Sequence, residues 1–186
     1  MALTFTPGKI PGVVVVDPAV YPDERGFFTE TFHAEKYAAN GIPARFVQDN
    51  YSHSNRHVLR GLHYQRNNPQ GKLVYVIHGE IMDVIVDMRK GSPMFGKWEA
   101  VLLDSESHRQ VYVPEGCAHG FVVLSDEADV MYKCTNLYSP KDDQGLLWSD
   151  PDLAIDWPTQ TPSLSPKDAV LPLLKDTPED TLPVFT

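Results

Sequence analysis

Cysteine is scarce in this chain, whose 186 residues carry two, Cys117 and Cys134. Two are too few for a disulfide framework and lack the paired spacing of a zinc site, so they read as buried free thiols of a reducing compartment. Long apolar runs are also missing, since none approaches the roughly 18 residues that a membrane-spanning helix requires. The opening stretch to Val16 has one basic residue, Lys9, and prolines where a signal peptide needs an unbroken apolar core. The expected location is the cytosol, with no membrane partner.

Positive charge is in deficit: 16 Lys and Arg against 25 Asp and Glu leave a net charge of −9. That balance excludes a general nucleic-acid binder, whose affinity rests on a basic surface. It leaves room for an anionic small molecule, which needs only a few cations gathered at one place. Helical signal is sparse as well. The one convincing stretch runs from Phe32 to Asn40, closed by Gly41 and followed by Pro43. Strands and helices do not alternate, which disfavours a doubly wound parallel sheet.

What the chain does have is short β-rich runs between turn signals. Val13 to Val16, then runs starting at Lys72, Ile81, Trp98, Gln110, Phe121 and Ala128, predict an all-β sandwich or jelly-roll barrel with short peripheral helices. His78-Gly79-Glu80 reads as a tight hairpin, and Arg89 to Pro93 as the punctuation before the next strand. Hydrophobic residues at 42% and charged residues at 22% suit a globular core, and the length suits one domain over residues 1–186. From Pro158 to Thr186 six prolines rule out most regular structure. This segment is expected to lie over the barrel as an arm, with Val170, Leu171, Leu173 and Leu174 available for packing.

Barrels of this type often hold a metal, and the histidine spacing argues against one here. Metal-binding cupins place His-x-His and then Glu on one strand; this chain has Gly61-Leu62-His63-Tyr64-Gln65, an amide where the second imidazole belongs. Pro114-Glu115-Gly116-Cys117-Ala118-His119 matches the second cupin signature, which leaves His63 and His119 without carboxylate ligands in view. Freed from a metal, an interior histidine near cations and a tyrosine suits proton transfer. If residues 59–65 are extended, His63 and Gln65 share a face with Leu59 and Gly61, and Arg60 points the other way unless a bulge intervenes. Singly, His63, Tyr132 and Lys72 each have a structural explanation; together they suggest an acid–base site.

Between Val13 and Asp168 the sequence resembles the dTDP-4-dehydrorhamnose 3,5-epimerase family. The likeness rests on Asp23-Glu24-Arg25-Gly26-Phe27-Phe28, Gln48-Asp49-Asn50, Leu59 to Gln65, Asp83-Val84-Ile85-Val86-Asp87, Pro114 to Phe121 and Trp148-Ser149-Asp150-Pro151, all in the family's order. The resemblance implies epimerisation at C3 and C5 of dTDP-4-keto-6-deoxy-D-glucose on the way to dTDP-L-rhamnose, without metal or redox cofactor. A C3-only or C5-only mono-epimerase is the alternative. It also implies a homodimer that exchanges strands so that each chain completes its neighbour's site; otherwise the N-terminal segment pairs at an edge within its own chain.

Residue by residue, the resemblance makes His63 the general base, Asp168 its orienting carboxylate and Tyr132 the donor on the opposite face, with Lys72 near the developing C4 oxyanion. Arg25, Arg60 and Lys167 would neutralise the diphosphate. Phe27, Glu30, Gln48, Asn50 and His119 would contact substrate, and Tyr138 would stack on the thymine. Where the family has Glu, this chain has Asp143, one methylene shorter.

Overall fold

The β-rich runs fold into antiparallel strands in two facing sheets, described here for residues 2–185 of a computed structural model. In chain order the strands are β1 (Thr4–Pro7), β2 (Val14–Asp17), β3 (Val20–Asp23), β4 (Gly26–Thr29), β5 (Gln48–Asn55), β6 (Leu59–Gln65), β7 (Lys72–His78), β8 (Glu80–Asp87), β9 (Trp98–Asp104), β10 (Gln110–Val113), β11 (Cys117–Val123), β12 (Glu127–Cys134) and β13 (Asp143–Gly145). One sheet runs β1-β2-β10-β7-β12-β5, the other β13-β6-β11-β8-β9, and β3 and β4 form a separate hairpin. The all-β cupin-like jelly roll read from the sequence is borne out.

The apolar runs are nearly continuous because both faces of most strands are covered. Between the sheets Val74, Val76, Val111 and Val130 meet Ile81, Ile85, Leu103 and Phe121. On the outside of the five-stranded sheet, Leu59, Leu62, Val84 and Val122 pack under Leu146, Leu153 and Trp157. On the outside of the six-stranded sheet, Val14, Val16 and Leu73 are covered by Tyr37 and Ile42. Burying a side chain of this size is worth about 1.5–3 kcal/mol, and the Val13 to Val16 run serves both layers at once.

The helix is shorter than its sequence signal. Helix α1 spans Ala34–Ala38, capped by the His33 ring accepting from the Lys36 N–H. Phe32 lies before it and packs edge-on against Tyr37 and Phe46. The turn at His78-Gly79-Glu80 is not a hairpin, for β7 and β8 belong to different sheets. Gly79 has φ +81° there, and a Cβ would sit 2.2 Å from the Glu127 carbonyl, so a glycine carries the chain across the barrel end. Arg89 to Pro93 does precede a partner, with β8 and β9 paired from Glu80↔Asp104 to Val86↔Trp98.

The C-terminal arm is held by main-chain bonds and by leucines. The Leu59 N–H donates to Ser163 O and the Ser163 N–H to His57 O, which fixes the arm against the start of β6. Leu174 and Leu182 pack on the second cluster, whereas Val170 is 80% exposed and takes no part. The N-terminal β1 pairs with β2 of its own chain. No helix among the described residues is long and apolar enough to cross a membrane. Both cysteines are buried and unpaired, and burial pushes the Cys117 thiol up to about 12.

Candidate active site

A bulge in β6 builds the site. Register along β6 and β11 runs Val122↔Leu59 and Phe121↔Arg60, then resumes at His119↔His63, so Gly61 and Leu62 face Gly120 alone. Gly61 has φ +110°, and a Cβ would come within 2.6 Å of His119 O, so only glycine fits. The extra residue changes the phase of the strand. Leu59, Leu62 and Tyr64 point into the outer cluster, while Arg60 and His63 line the same cavity. Simple alternation put His63 with Leu59 and sent Arg60 away; the bulge reverses both.

His63 Nε2 lies 2.7 Å from Asp168 Oδ1. The arm delivers Asp168, which is buried, with Ser165 Oγ accepting from its N–H at 3.1 Å and its Oδ2 3.5 Å from the Gly61 N–H. Burial raises the Asp168 pKa, but the His63 hydrogen bond and charge, with Ser165 and Gly61, outweigh it and hold the carboxyl below its ordinary value. An ionised Asp168 accepts a hydrogen bond from the Nε2–H of His63 and leaves Nδ1 as the basic nitrogen, with 31% of the side chain open.

Tyr132 and Lys72 approach from the other sheet, on β12 and β7, so the phenol and the imidazole stand on opposite walls. Burial pushes the Tyr132 phenol up, reinforced by Cys134 and Asp143 and opposed by Arg60, which keeps it a proton donor at neutral pH. Burial lowers Lys72, while Cys134, Asp143 and Asp83 work to retain its charge. Its Nζ donates to His63 O at 3.4 Å. Two adjoining cavities, of ≈ 350 and ≈ 280 Å³, share His63, Lys72, Tyr132 and Lys167 on their walls.

Most of the other sequence candidates converge here. Gln48, Asn50, Tyr138 and Asp143 line the larger cavity, Arg60 and His119 the smaller. Asp143 accepts from the Tyr138 hydroxyl at 2.8 Å and pairs with Lys167, so the shorter carboxylate ties the stacking candidate to a phosphate candidate. Arg25, Phe27 and Glu30 do not converge. Arg25 is 84% exposed and pairs with Asp23 on the β3–β4 hairpin. Phe27 stacks on His108 at 4.5 Å, and Glu30 binds Lys36 at 2.7 Å.

Two residues went unrecognised in the sequence. Asp83, quoted above only inside a motif, is completely buried and binds His119 Nε2 at 2.7 Å, a second histidine–carboxylate pair beside the first. The signal was a carboxylate at an inward position of an apolar strand. Gln65, at the missing metal-ligand position, is a loop staple: its amide donates to Asn68 O and Leu137 O and accepts from the Ser139 N–H. No group of three His, Cys, Asp or Glu suited to a metal gathers among the described residues.

A more voluminous depression of ≈ 1030 Å³ lies at the β7–β8 turn, lined by Glu80, Asp104, Glu106, Asp126 and Glu127 with no Lys or Arg. An anionic ligand is repelled there, so size does not mark the site; the cations around His63 do.

A histidine–carboxylate pair facing a tyrosine inside a cupin-like barrel is an arrangement suited to acid–base chemistry. Comparison with known proteins narrows the class. Residues 7–176 match the family model described as dTDP-4-dehydrorhamnose 3,5-epimerase. The enzyme of that name from Methanothermobacter thermautotrophicus is 54% identical over 156 residues, 84% of each chain. A dTDP-4-dehydrorhamnose 3-epimerase from Streptomyces niveus is 44% identical over 168 residues, 89% of this chain and 81% of its own. The crystal structure of the Legionella pneumophila 3,5-epimerase with dTDP-4-keto-L-rhamnose superposes with a TM-score of 0.95 at 48% identity, covering 100% of both chains. The chain belongs to the dTDP-4-dehydrorhamnose 3,5-epimerase family.

Proposed function

We propose that this protein inverts C3 and C5 of dTDP-4-keto-6-deoxy-D-glucose to give dTDP-4-keto-L-rhamnose. The observation that carries the reading is the His63–Asp168 pair on one wall and Tyr132 on the other. Each hydrogen to be moved sits on a carbon next to the C4 ketone, so its removal gives an enolate and calls for no redox step. His63 Nδ1 takes the proton, and Asp168 stabilises the imidazolium that forms. Lys72 meets the negative charge gathering on the C4 oxygen. Tyr132 returns a proton from the far side, which inverts the centre; the imidazolium then gives its proton to solvent and solvent reprotonates the phenolate, so the pair is reset for the second carbon.

The nucleotide arm of the substrate accounts for the remaining candidates. Arg60 and Lys167 neutralise diphosphate, Tyr138 offers its ring to the base, and Gln48 and Asn50 offer amides. Arg25, Phe27 and Glu30 reach a site only as a neighbour's contribution, which supports a homodimer whose β3–β4 hairpin covers the partner's cavity. A sedimentation measurement giving a monomer removes that part. The whole chain acts as one domain in the cytosol, with residues 158–186 as the arm that supplies Asp168.

The Streptomyces niveus relative keeps a single-centre reading in view. Proton NMR of the sugar after incubation with enzyme separates the two. The 3,5-reading expects both centres inverted; inversion at one alone establishes the mono-epimerase, and an unaltered sugar sinks both.

A further inference from the structure

The inward face of β5 is polar where that of its neighbours is apolar, and one residue on it is out of keeping with the rest. Gln48, Asn50, Ser52 and Ser54 alternate along the strand. Gln48 Nε2 donates to Asn50 Oδ1, Asn50 Nδ2 to Cys134 Sγ, and Ser54 Oγ accepts from Arg60 Nε at 2.9 Å. Ser52 lines the smaller cavity beside Arg60, His63 and Tyr132, yet its hydroxyl, sealed from solvent, has no partner among the described residues. An unpaired buried hydroxyl is destabilising, so a fold keeps one only for a reason.

Its position on the strand points to that reason. Asn50 is registered with Tyr132, and Ser54 holds Arg60. Ser52 lies between, roughly 7 Å along the strand from each. A ligand spanning that interval has its diphosphate at Arg60 and its reacting carbons at Tyr132 and His63. Resting on the functional reading above, we infer that Ser52, its side chain turned about χ1 into the cavity it lines, is a specificity-determining residue that hydrogen-bonds the C2 hydroxyl of the sugar. C2 adjoins the carbon bearing the diphosphate, and its configuration is unaltered by the reaction. A fixed serine therefore keeps its bond throughout, whereas a partner for the C3 hydroxyl loses it when C3 inverts. Recognition of this hydroxyl separates 2-hydroxy from 2-deoxy nucleotide sugars.

The test compares Ser52→Ala with wild type on the 4-keto-6-deoxy nucleotide sugar and on its 2-deoxy analogue. Wild type is expected to prefer the 2-hydroxy sugar by about tenfold in kcat/KM, one net hydrogen bond. Ser52→Ala loses about that factor on the 2-hydroxy sugar and nothing further on the analogue. Its melting temperature stays level or rises, because an unpaired hydroxyl has been removed; a fall assigns Ser52 to the fold and overturns the inference. So does a preference for the 2-hydroxy sugar that survives undiminished in Ser52→Ala. Wild-type protein that fails to turn over the 2-hydroxy sugar overturns the functional reading and this inference with it.

Discussion

Asp83 and Asp87 stand four residues apart on β8, both inward and both completely buried, and they are treated in opposite ways. Asp87 is saturated. Arg89 binds it through Nε and Nη2 at 2.8 Å each, Ser92 Oγ donates at 2.6 Å, and the Arg89 N–H adds a fourth bond at 3.0 Å. Burial raises the Asp87 pKa, yet Arg89 and Ser92 more than offset it and hold the carboxyl low. Arg89 in turn lies over the Phe185 ring at 5.0 Å and donates to Pro11 O, which ties both chain ends to this floor. Asp83 has one bond, to His119, and its Oδ1 has no partner among the described residues. Asp87 is closed off on every side, whereas Asp83, beside the His63–Asp168 pair, keeps one oxygen without a partner.

Substitutions along this contrast should separate chemistry from stability. The largest effect belongs to the catalytic end: His63→Ala lowers turnover by 10² to 10⁴, the usual worth of general base catalysis, with dTDP binding by calorimetry nearly unchanged. Next comes Asp87→Ala, which strands Arg89 and costs about 3–5 kcal/mol in denaturant unfolding, while the protein that remains folded turns over normally. Its pH signature follows from sign: the folded pKa lies below the ordinary 3.8, so the stability is present above that value and is lost as pH falls through the folded pKa. Wild type should therefore lose more stability below about pH 4 than Asp87→Asn does. The smallest effect is that of Asp83→Asn, which keeps an acceptor for His119 but removes the charge that supports Lys72. It slows turnover about tenfold with little change in unfolding. An Asp83→Asn protein as unstable as Asp87→Ala breaks the comparison.

Strands β2 and β7 to β12, the arm and the grouping of His63, Tyr132 and Lys72 were legible in the sequence, because short β-rich runs between turn signals carry them, whereas Asp168 came only with the family resemblance. Features that depend on pairing were not. The bulge at Gly61 and Leu62 exists only against Gly120, and without it the parity of Arg60 comes out wrong. Gly79 signals a turn, but whether the chain doubles back or changes sheets is decided by the strands that β7 and β8 find as partners. Asp83 and Asp87 look alike in Asp83-Val84-Ile85-Val86-Asp87, and only their neighbours distinguish them. Arg25, Phe27 and Glu30, like Asp168, were assigned by resemblance alone, and within one chain they lie on the β3–β4 hairpin and just past its end, away from the cavity.

The central claim is that His63 strips hydrogen from carbon on either side of a ketone. Wild-type protein in heavy water, with the sugar followed by one-dimensional proton NMR, tests it directly. Loss of the proton signals at both C3 and C5 is the predicted result, and two signals that persist at full intensity after prolonged incubation contradict it.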